Sequence, residues 1–163
     1  MLTADVTVAG DIKPALVLAS SGTDSDFIVK LIDVFPNDYR YPNGLRPPMN
    51  SAWSVFQPGG YQMLLRGEPM PARFRNGFTK GEPLKPNTAT KLAFTMPGVT
   101  HTFKKGHRIM VQIQSTWFPL VARNPQKFME NYKVATNADF QAAKEKIFYG
   151  PRNSSAIILP IVK

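Results

Sequence analysis

Side chains able to carry out nucleophilic hydrolysis are sparse in this sequence. A serine nucleophile on a strained turn usually lies in a G-x-S-x-G pattern, which the 163-residue chain lacks. The chain also has no cysteine, which excludes cysteine nucleophiles, disulfides and thiolate metal sites. Its two histidines, His101 and His107, flank a predicted turn, which places them on neighbouring strands or at strand ends. We interpret both histidines as structural and predict no catalytic residue in this chain.

Three carboxylates offer a second kind of chemistry, the binding of a hard cation. Asp24, Asp26 and Asp33 lie close together in sequence, and Ca²⁺ binds several oxygen ligands. Their spacing does not match an EF-hand loop. We therefore predict no metal and no cofactor. We expect Asp24 and Asp26 to cap turns or to pair with Lys30 and nearby arginines.

Aromatic side chains offer a third possibility, a platform that binds sugars. Such platforms occur on lectin domains built as jelly rolls, where one face of the ring stacks on the ligand. The candidates are Tyr39, Tyr41, Trp53, Tyr61 and Trp117. Sugar binding and ordinary packing both fit these residues at the level of sequence.

The elements that must position these residues are mostly strands. Fifteen prolines and 11 glycines favour turns over long helices. Apolar runs between turn signals predict strands over residues 5–8, 15–19, 27–35, 61–66, 91–95, 107–114, 146–149 and 156–162. One short helix is predicted over residues 137–144, and residues 36–60 form a long, proline-rich connection. This pattern is typical of an all-β jelly-roll sandwich.

Residues 106–119 carry the most specific pattern in the chain. Over residues 108–114, apolar and mostly polar side chains alternate, which predicts a strand with one buried face. An aromatic loop stopped by proline follows, and then R-N-P at residues 123–125. The motif G-H-R-I-M-V-Q-x-Q-S-x-W-F-P, followed by R-N-P, resembles the C-terminal jelly-roll domain of the α-amino acid ester hydrolases. These belong with the cocaine esterase and X-Pro dipeptidyl peptidase serine hydrolases.

The resemblance extends over almost the whole chain, in the order of the family. Residues 20–36 are similar to the family's S-x-x-T-D-S-D-F/W-x-x-K-L-x-D-V-x-P strand. Later blocks follow at residues 60–68, 73–76 and 158–161. Because several blocks occur in the same order as in the family, together they are stronger evidence for the resemblance than any single block.

This resemblance implies a fold, a partner and a function. The fold is a galactose-binding-like jelly roll, with residues 1–163 as one C-terminal domain. The Ser-His-Asp triad is expected in an α/β-hydrolase domain that precedes residue 1 together with a helical cap domain. The chain would then pack on and support a catalytic domain that cleaves amide or ester bonds. The alternative is a carbohydrate- or protein-binding β-sandwich module.

Trp117, Phe118 and Arg123 are the predicted contacts with that catalytic domain. They follow the end of a predicted strand, and Pro119 prevents its regular continuation. Large aromatic residues at such a position bury area beneath their own loop or in a partner. An arginine beside them is typical of an interface.

The bulk composition limits the remaining partners. A net charge of +9 invites a nucleic-acid interpretation, but the 20 lysines and arginines are scattered along the chain. No apolar run reaches the length of a membrane span, and the first residues lack the features of a signal peptide. We predict no nucleic-acid or membrane partner, while an oligomer is possible in the full-length enzyme. The members that the chain resembles are often exported, which favours a periplasmic or secreted location.

Overall fold

The computed structural model describes residues 1–40, 58–151 and 153–162 of the chain. The strands in these ranges are β1 Val6–Ser20, β2 Asp26–Val34, β3 Gln62–Pro71, β4 Thr90–Ala93, β5 Met96–Phe103, β6 Arg108–Gln114, β7 Glu145–Ile147, β8 Ala156–Ile158 and β9 Ile161–Val162. Three short 3-10 helices span Ala72–Phe74, Tyr132–Val134 and Asn137–Asp139. Within these ranges, no helix is long and apolar enough to cross a membrane.

The strands form two antiparallel sheets. In the larger sheet, β1 pairs with β4 and β5 along one edge and with β7, β8 and β9 along the other. The smaller sheet has the order β3-β2-β6. These are the two layers of a β-sandwich, as the sequence predicts.

The core lies between the two sheets. Alternate residues of β1, including Leu16 and Leu18, face alternate residues of β2, including Phe27, Val29 and Leu31. All five side chains are buried. Burial of apolar area at roughly 25 cal/mol per Å² makes this layer the main source of stability. The alternation over residues 108–114 is also confirmed, since Ile109, Val111 and Ile113 pack against this core.

Some predicted boundaries are wrong, for local physical reasons. The predicted strands 5–8 and 15–19 are one continuous strand, because a bulge between Gly10 and Ile12 carries the pairing past the Gly-Pro stretch. Gly10 has a φ of 127°, which glycine adopts without strain. Strand β5 lies outside the predicted strands, because Pro97 and Gly98 in its first half are residues typical of turns.

The predicted helix over residues 137–144 is also too long. The structure has a 3-10 helix over Asn137–Asp139 only, and Phe140 is extended. Gln141 donates its backbone N–H to the carbonyl of Pro125 and its side-chain amide to the carbonyl of Gln126. These contacts hold the chain against a neighbouring loop in place of helical hydrogen bonds. Most of the predicted long connection, residues 41–57, lies outside the described residues.

Candidate interdomain surface

Trp117 lies on the outer face of the smaller sheet, just after β6. Its ring sits directly over Gly67 of β3, where a Cβ atom would lie 2.4 Å from the Trp117 Cη2 atom. The Lys30 ammonium group lies 4.2 Å from the ring centroid, within the range of a cation–π interaction. Trp117 is therefore half-buried against its own domain and holds the loop in place. The absence of a side chain at Gly67 is what makes room for the ring.

Phe118 and Arg123 lie further out on the same loop and meet each other. Phe118 is 65% exposed, and Leu120 beside it is 72% exposed. The Arg123 guanidinium carbon lies 5.8 Å from the Phe118 ring centroid and 4.9 Å from that of Phe140. The peptide bond between Phe118 and Pro119 is cis. The structure thus brings the predicted contact residues together, with Trp117 turned inward and the other two facing outward.

A buried polar cluster anchors the segment that follows this loop. Asp24 forms an ion pair with Arg73, whose Nε donates to Asp24 Oδ2 at 2.8 Å. The Asn124 side-chain amide donates to Asp24 Oδ2 at 3.1 Å and to Asp26 Oδ1 at 2.9 Å. All four side chains are buried. The expected pairing of Asp24 with an arginine is confirmed, whereas Asp26 is bound by Asn124.

Arg73 also binds the loop through its aromatic neighbours. Its guanidinium carbon lies 4.9 Å from the Phe128 ring centroid and 5.1 Å from the Tyr132 ring centroid. Its Nη1 donates to the carbonyl of Met129 at 2.6 Å. The Thr23 hydroxyl accepts the backbone N–H of Phe128 at 2.8 Å. The motif blocks around residues 23–26, 73 and 124, far apart in sequence, therefore meet in one cluster.

His101 and His107 share one buried carboxylate. His101 Nε2 lies 2.9 Å from Asp33 Oδ2, and His107 Nδ1 lies 2.8 Å from Asp33 Oδ1. His101 belongs to β5 in the larger sheet and Asp33 to β2 in the smaller sheet, so this contact joins the two layers. The two imidazole rings also pack on aromatic neighbours, His107 on Phe35 and His101 on Phe103. These contacts support a structural role for both histidines.

The three candidate metal ligands do not come together. Asp26 and Asp33 occupy opposite ends of β2, roughly 24 Å apart along an extended strand. The described ranges contain no group of three or more His, Cys, Asp or Glu residues that could hold a metal ion. Arg73 occupies the position of a counter-ion beside Asp24.

The aromatic candidates for sugar binding are also dispersed. Tyr39 and Tyr61 both pack on Phe35 past the end of β2, with ring centroids 4.9 and 5.7 Å from it. Trp117 lies elsewhere, over Gly67. Tyr41 and Trp53 fall outside the described residues. The described candidates therefore do not form one flat platform.

Asp26 should give the domain an unusual dependence on pH. Burial raises its pKa above the ordinary value of 3.8, and the charge of Asp24 adds to this, while Asn124 and Arg73 lower it. The folded state then binds the proton more tightly than the unfolded state. The contribution of Asp26 to stability is complete below pH 3.8 and is lost as pH rises through the raised pKa. We expect Asp26→Asn, which can still accept from Asn124, to raise the urea midpoint at pH 7 more than at pH 4.

Asp139→Asn provides a control of opposite sign. Hydrogen bonds from Thr136 and Lys127 lower the pKa of Asp139 to about 2. Its contribution to stability is present above pH 3.8 and is lost as pH falls through about 2. This variant should therefore be less stable than the wild type at pH 7. If Asp26→Asn is destabilised more at pH 7 than at pH 4, the assigned direction for Asp26 is wrong.

Comparison with known proteins identifies the family of this domain. Residues 1–157 match the family described as the X-Pro dipeptidyl-peptidase C-terminal non-catalytic domain. The chain belongs to this family. The resemblance stated from the sequence motifs is thereby confirmed.

Individual relatives agree with this family. The cocaine esterase of Rhodococcus sp. (strain MB1 Bresler) is 28% identical over 170 residues, covering 100% of this chain and 24% of the esterase. An aminopeptidase from a marine sediment Thaumarchaeota archaeon is 34% identical with a TM-score of 0.86 over 99% of this chain. An α-amino acid ester hydrolase is 35% identical with a TM-score of 0.84, also over 99% of this chain. The chain spans about a quarter of each of these proteins, 24% in each case.

Proposed function

We propose that this chain is the accessory C-terminal domain of a serine hydrolase of the esterase, acylase or dipeptidyl peptidase type. In this proposal, a preceding α/β-hydrolase domain with a helical cap carries the triad and cleaves an amide or ester bond. The observation that carries the proposal is the family match over residues 1–157, to a domain described as non-catalytic. Relatives that are named as an esterase, an aminopeptidase and an ester hydrolase support the same class of reaction.

The geometry of the domain supports a packing role. Both histidines are bound to Asp33, His101 from the larger sheet and His107 from the turn that precedes β6, and this supports a structural role for both. The exposed apolar residues Phe118 and Leu120 follow a half-buried Trp117 that fixes their loop. Exposed large apolar groups on a rigid loop are typical of a surface that docks on another domain. Trp117, Phe118 and Arg123 are therefore the proposed contacts with the catalytic domain.

The isolated chain should fold and hydrolyse nothing. Acyl transfer to water needs an activated nucleophile and a base, and the proposal places both in the preceding domain. The test is an assay of the purified chain with p-nitrophenyl esters and aminoacyl-p-nitroanilides, beside the full-length protein. Circular dichroism confirms that the sample is folded. Turnover by the isolated chain that a serine-directed inhibitor abolishes would contradict the proposal.

A further inference from the structure

Asn76 is followed by a glycine, a pair in which the asparagine side chain can react with the chain's own backbone. Asn-Gly occurs at residues 43–44 and 76–77, and the first pair lies outside the described residues. A following glycine favours this reaction, because it has no side chain to hinder the approach of its backbone nitrogen to the asparagine side chain. Asn76 is also the last residue of the motif block at residues 73–76, and the proposed function does not use it.

The backbone around this pair leaves room for the reaction. Asn76 and Gly77 are both exposed and follow the 3-10 helix Ala72–Phe74. Gly77 has a φ of 137°, which glycine adopts without strain. A Cβ atom at Gly77 would have no other atom within 4 Å, so the space beside this residue is open.

Two hydrogen bonds restrain the groups that would react. The Asn76 side-chain amide donates to Glu82 Oε2 at 2.8 Å. The backbone N–H of Gly77 donates to the carbonyl of Phe74 at 3.0 Å. Both bonds must open before the Gly77 nitrogen can reach the Asn76 Cγ atom, so local opening of the loop controls the rate.

Glu82 is held in place independently of Asn76. The Arg75 Nη2 atom lies 3.4 Å from Glu82 Oε2, and Arg75 Nη1 donates to the Glu82 carbonyl at 2.8 Å. The backbone N–H of Glu82 donates to the carbonyl of Arg73 at 2.9 Å. The carboxylate of Glu82 is therefore a fixed restraint on the Asn76 amide.

We propose that Asn76 is a site of spontaneous deamidation and that Glu82 sets its rate by restraining the side-chain amide. In this reaction the Gly77 nitrogen loses its proton to solvent base and forms a bond to Asn76 Cγ. The bond between Cγ and Nδ2 breaks, and the departing nitrogen takes up a proton from solvent and leaves as ammonia. Water then opens the resulting succinimide at either carbonyl, which gives aspartate or isoaspartate. No oxidant or reductant takes part.

Either product changes the loop that contains residue 76. A carboxylate in place of the amide removes the donor to Glu82 Oε2 and places two like charges together. Isoaspartate also adds a methylene group to the backbone, which displaces the Gly77 N–H from the Phe74 carbonyl. Because the Glu82 N–H binds the Arg73 carbonyl, deamidation loosens the segment beside the buried pair of Arg73 and Asp24.

Peptide mapping by mass spectrometry tests this proposal on the purified protein, incubated at neutral and at mildly alkaline pH. The peptide that contains Asn76 should gain the mass difference between an amide and a carboxyl group, and faster at the higher pH, because the attacking nitrogen must lose its proton. Glu82→Ala should raise the rate at Asn76 roughly tenfold, the factor that corresponds to the loss of one hydrogen bond to a charged group. Glu82→Gln still offers the amide an acceptor, so its rate should stay closer to that of the wild type.

Asn87 is the internal control, because it is exposed but is followed by the β-branched Thr88 and should keep its amide. Circular dichroism confirms that each variant is folded. The deamidation site would be overturned if Asn76 stays intact in the wild type and in Glu82→Ala while the urea-unfolded protein converts, or if Asn87 converts as fast as Asn76. Equal rates at Asn76 in the wild type and in Glu82→Ala would overturn the role of Glu82.

Discussion

Replacing Arg73 by methionine should lower the free energy of unfolding of the domain by about 3–5 kcal/mol. Arg73 is the counter-ion of Asp24, and both side chains are buried, so the variant leaves an uncompensated carboxylate. It also removes the cation that contacts Phe128 and Tyr132 and the hydrogen bond to the carbonyl of Met129. Urea denaturation of the purified domain at pH 7 measures the loss.

Lys104→Met is the control for this prediction. Lys104 pairs with Asp5 at 2.8 Å, but both side chains are exposed, so the pair is screened by solvent. The loss there should be much smaller than the loss in Arg73→Met, because exposed ion pairs contribute little to stability. Equal losses in the two variants would mean that the buried pair does not hold the loops together. A large loss confined to Arg73→Met would support the cluster as the joint between the motif blocks.

This cluster also shows what the sequence can and cannot predict. The pairing of Asp24 with an arginine is expected from charge, but its partner is 49 residues away, and the aromatic residues around Arg73 come from a third segment. Alternation predicts strands because it is a local property with a period of two. Contacts between distant segments have no such local signal. The polar residues within otherwise strand-like motif blocks are the one sequence feature that indicates such a cluster.

The strands show the same division between local and distant causes. The pattern of β2 is long and mostly apolar and that of β6 alternates between apolar and mostly polar residues, and both strands form close to the predicted bounds. The helix predicted over residues 137–144 rests on three alanines and a capping residue. Contacts of Gln141 with the carbonyls of residues 125 and 126 override that weak preference. Likewise, β5 includes Pro97 and Gly98, because it pairs with β1 on both sides of these two residues.

The candidate surface combines a predicted loop with an unpredicted support. The position of Trp117, Phe118 and Arg123 after a strand end is visible in the sequence. The support is Gly67, whose missing side chain lets the Trp117 ring lie on the sheet. Because Gly67 is 50 residues earlier and lies in another strand, no local pattern connects the two. The structure therefore divides the predicted contact residues into an anchor, Trp117, and the outward-facing pair.

This division leads to different expectations for Trp117→Ala and Phe118→Ser. Trp117 packs on Gly67 and Lys30 of its own domain. Its truncation should cost the isolated domain about 2 kcal/mol, less than for a fully buried tryptophan because the ring is half-buried. Phe118 is largely exposed, so Phe118→Ser should change the isolated domain by no more than about 0.5 kcal/mol.

In the full-length protein, both variants should lower thermal stability and hydrolytic activity. Phe118→Ser should do so by weakening the contact between the domains, with a loss of docking free energy of about 2 kcal/mol, as is typical of an aromatic contact at an interface. Trp117→Ala should do so by releasing the loop that presents Phe118. The measurements are urea denaturation of the isolated domain and thermal melting with ester hydrolysis for the full-length protein. If Phe118→Ser destabilises the isolated domain as much as the full-length protein, Phe118 stabilises the sandwich itself and is not a contact with the catalytic domain.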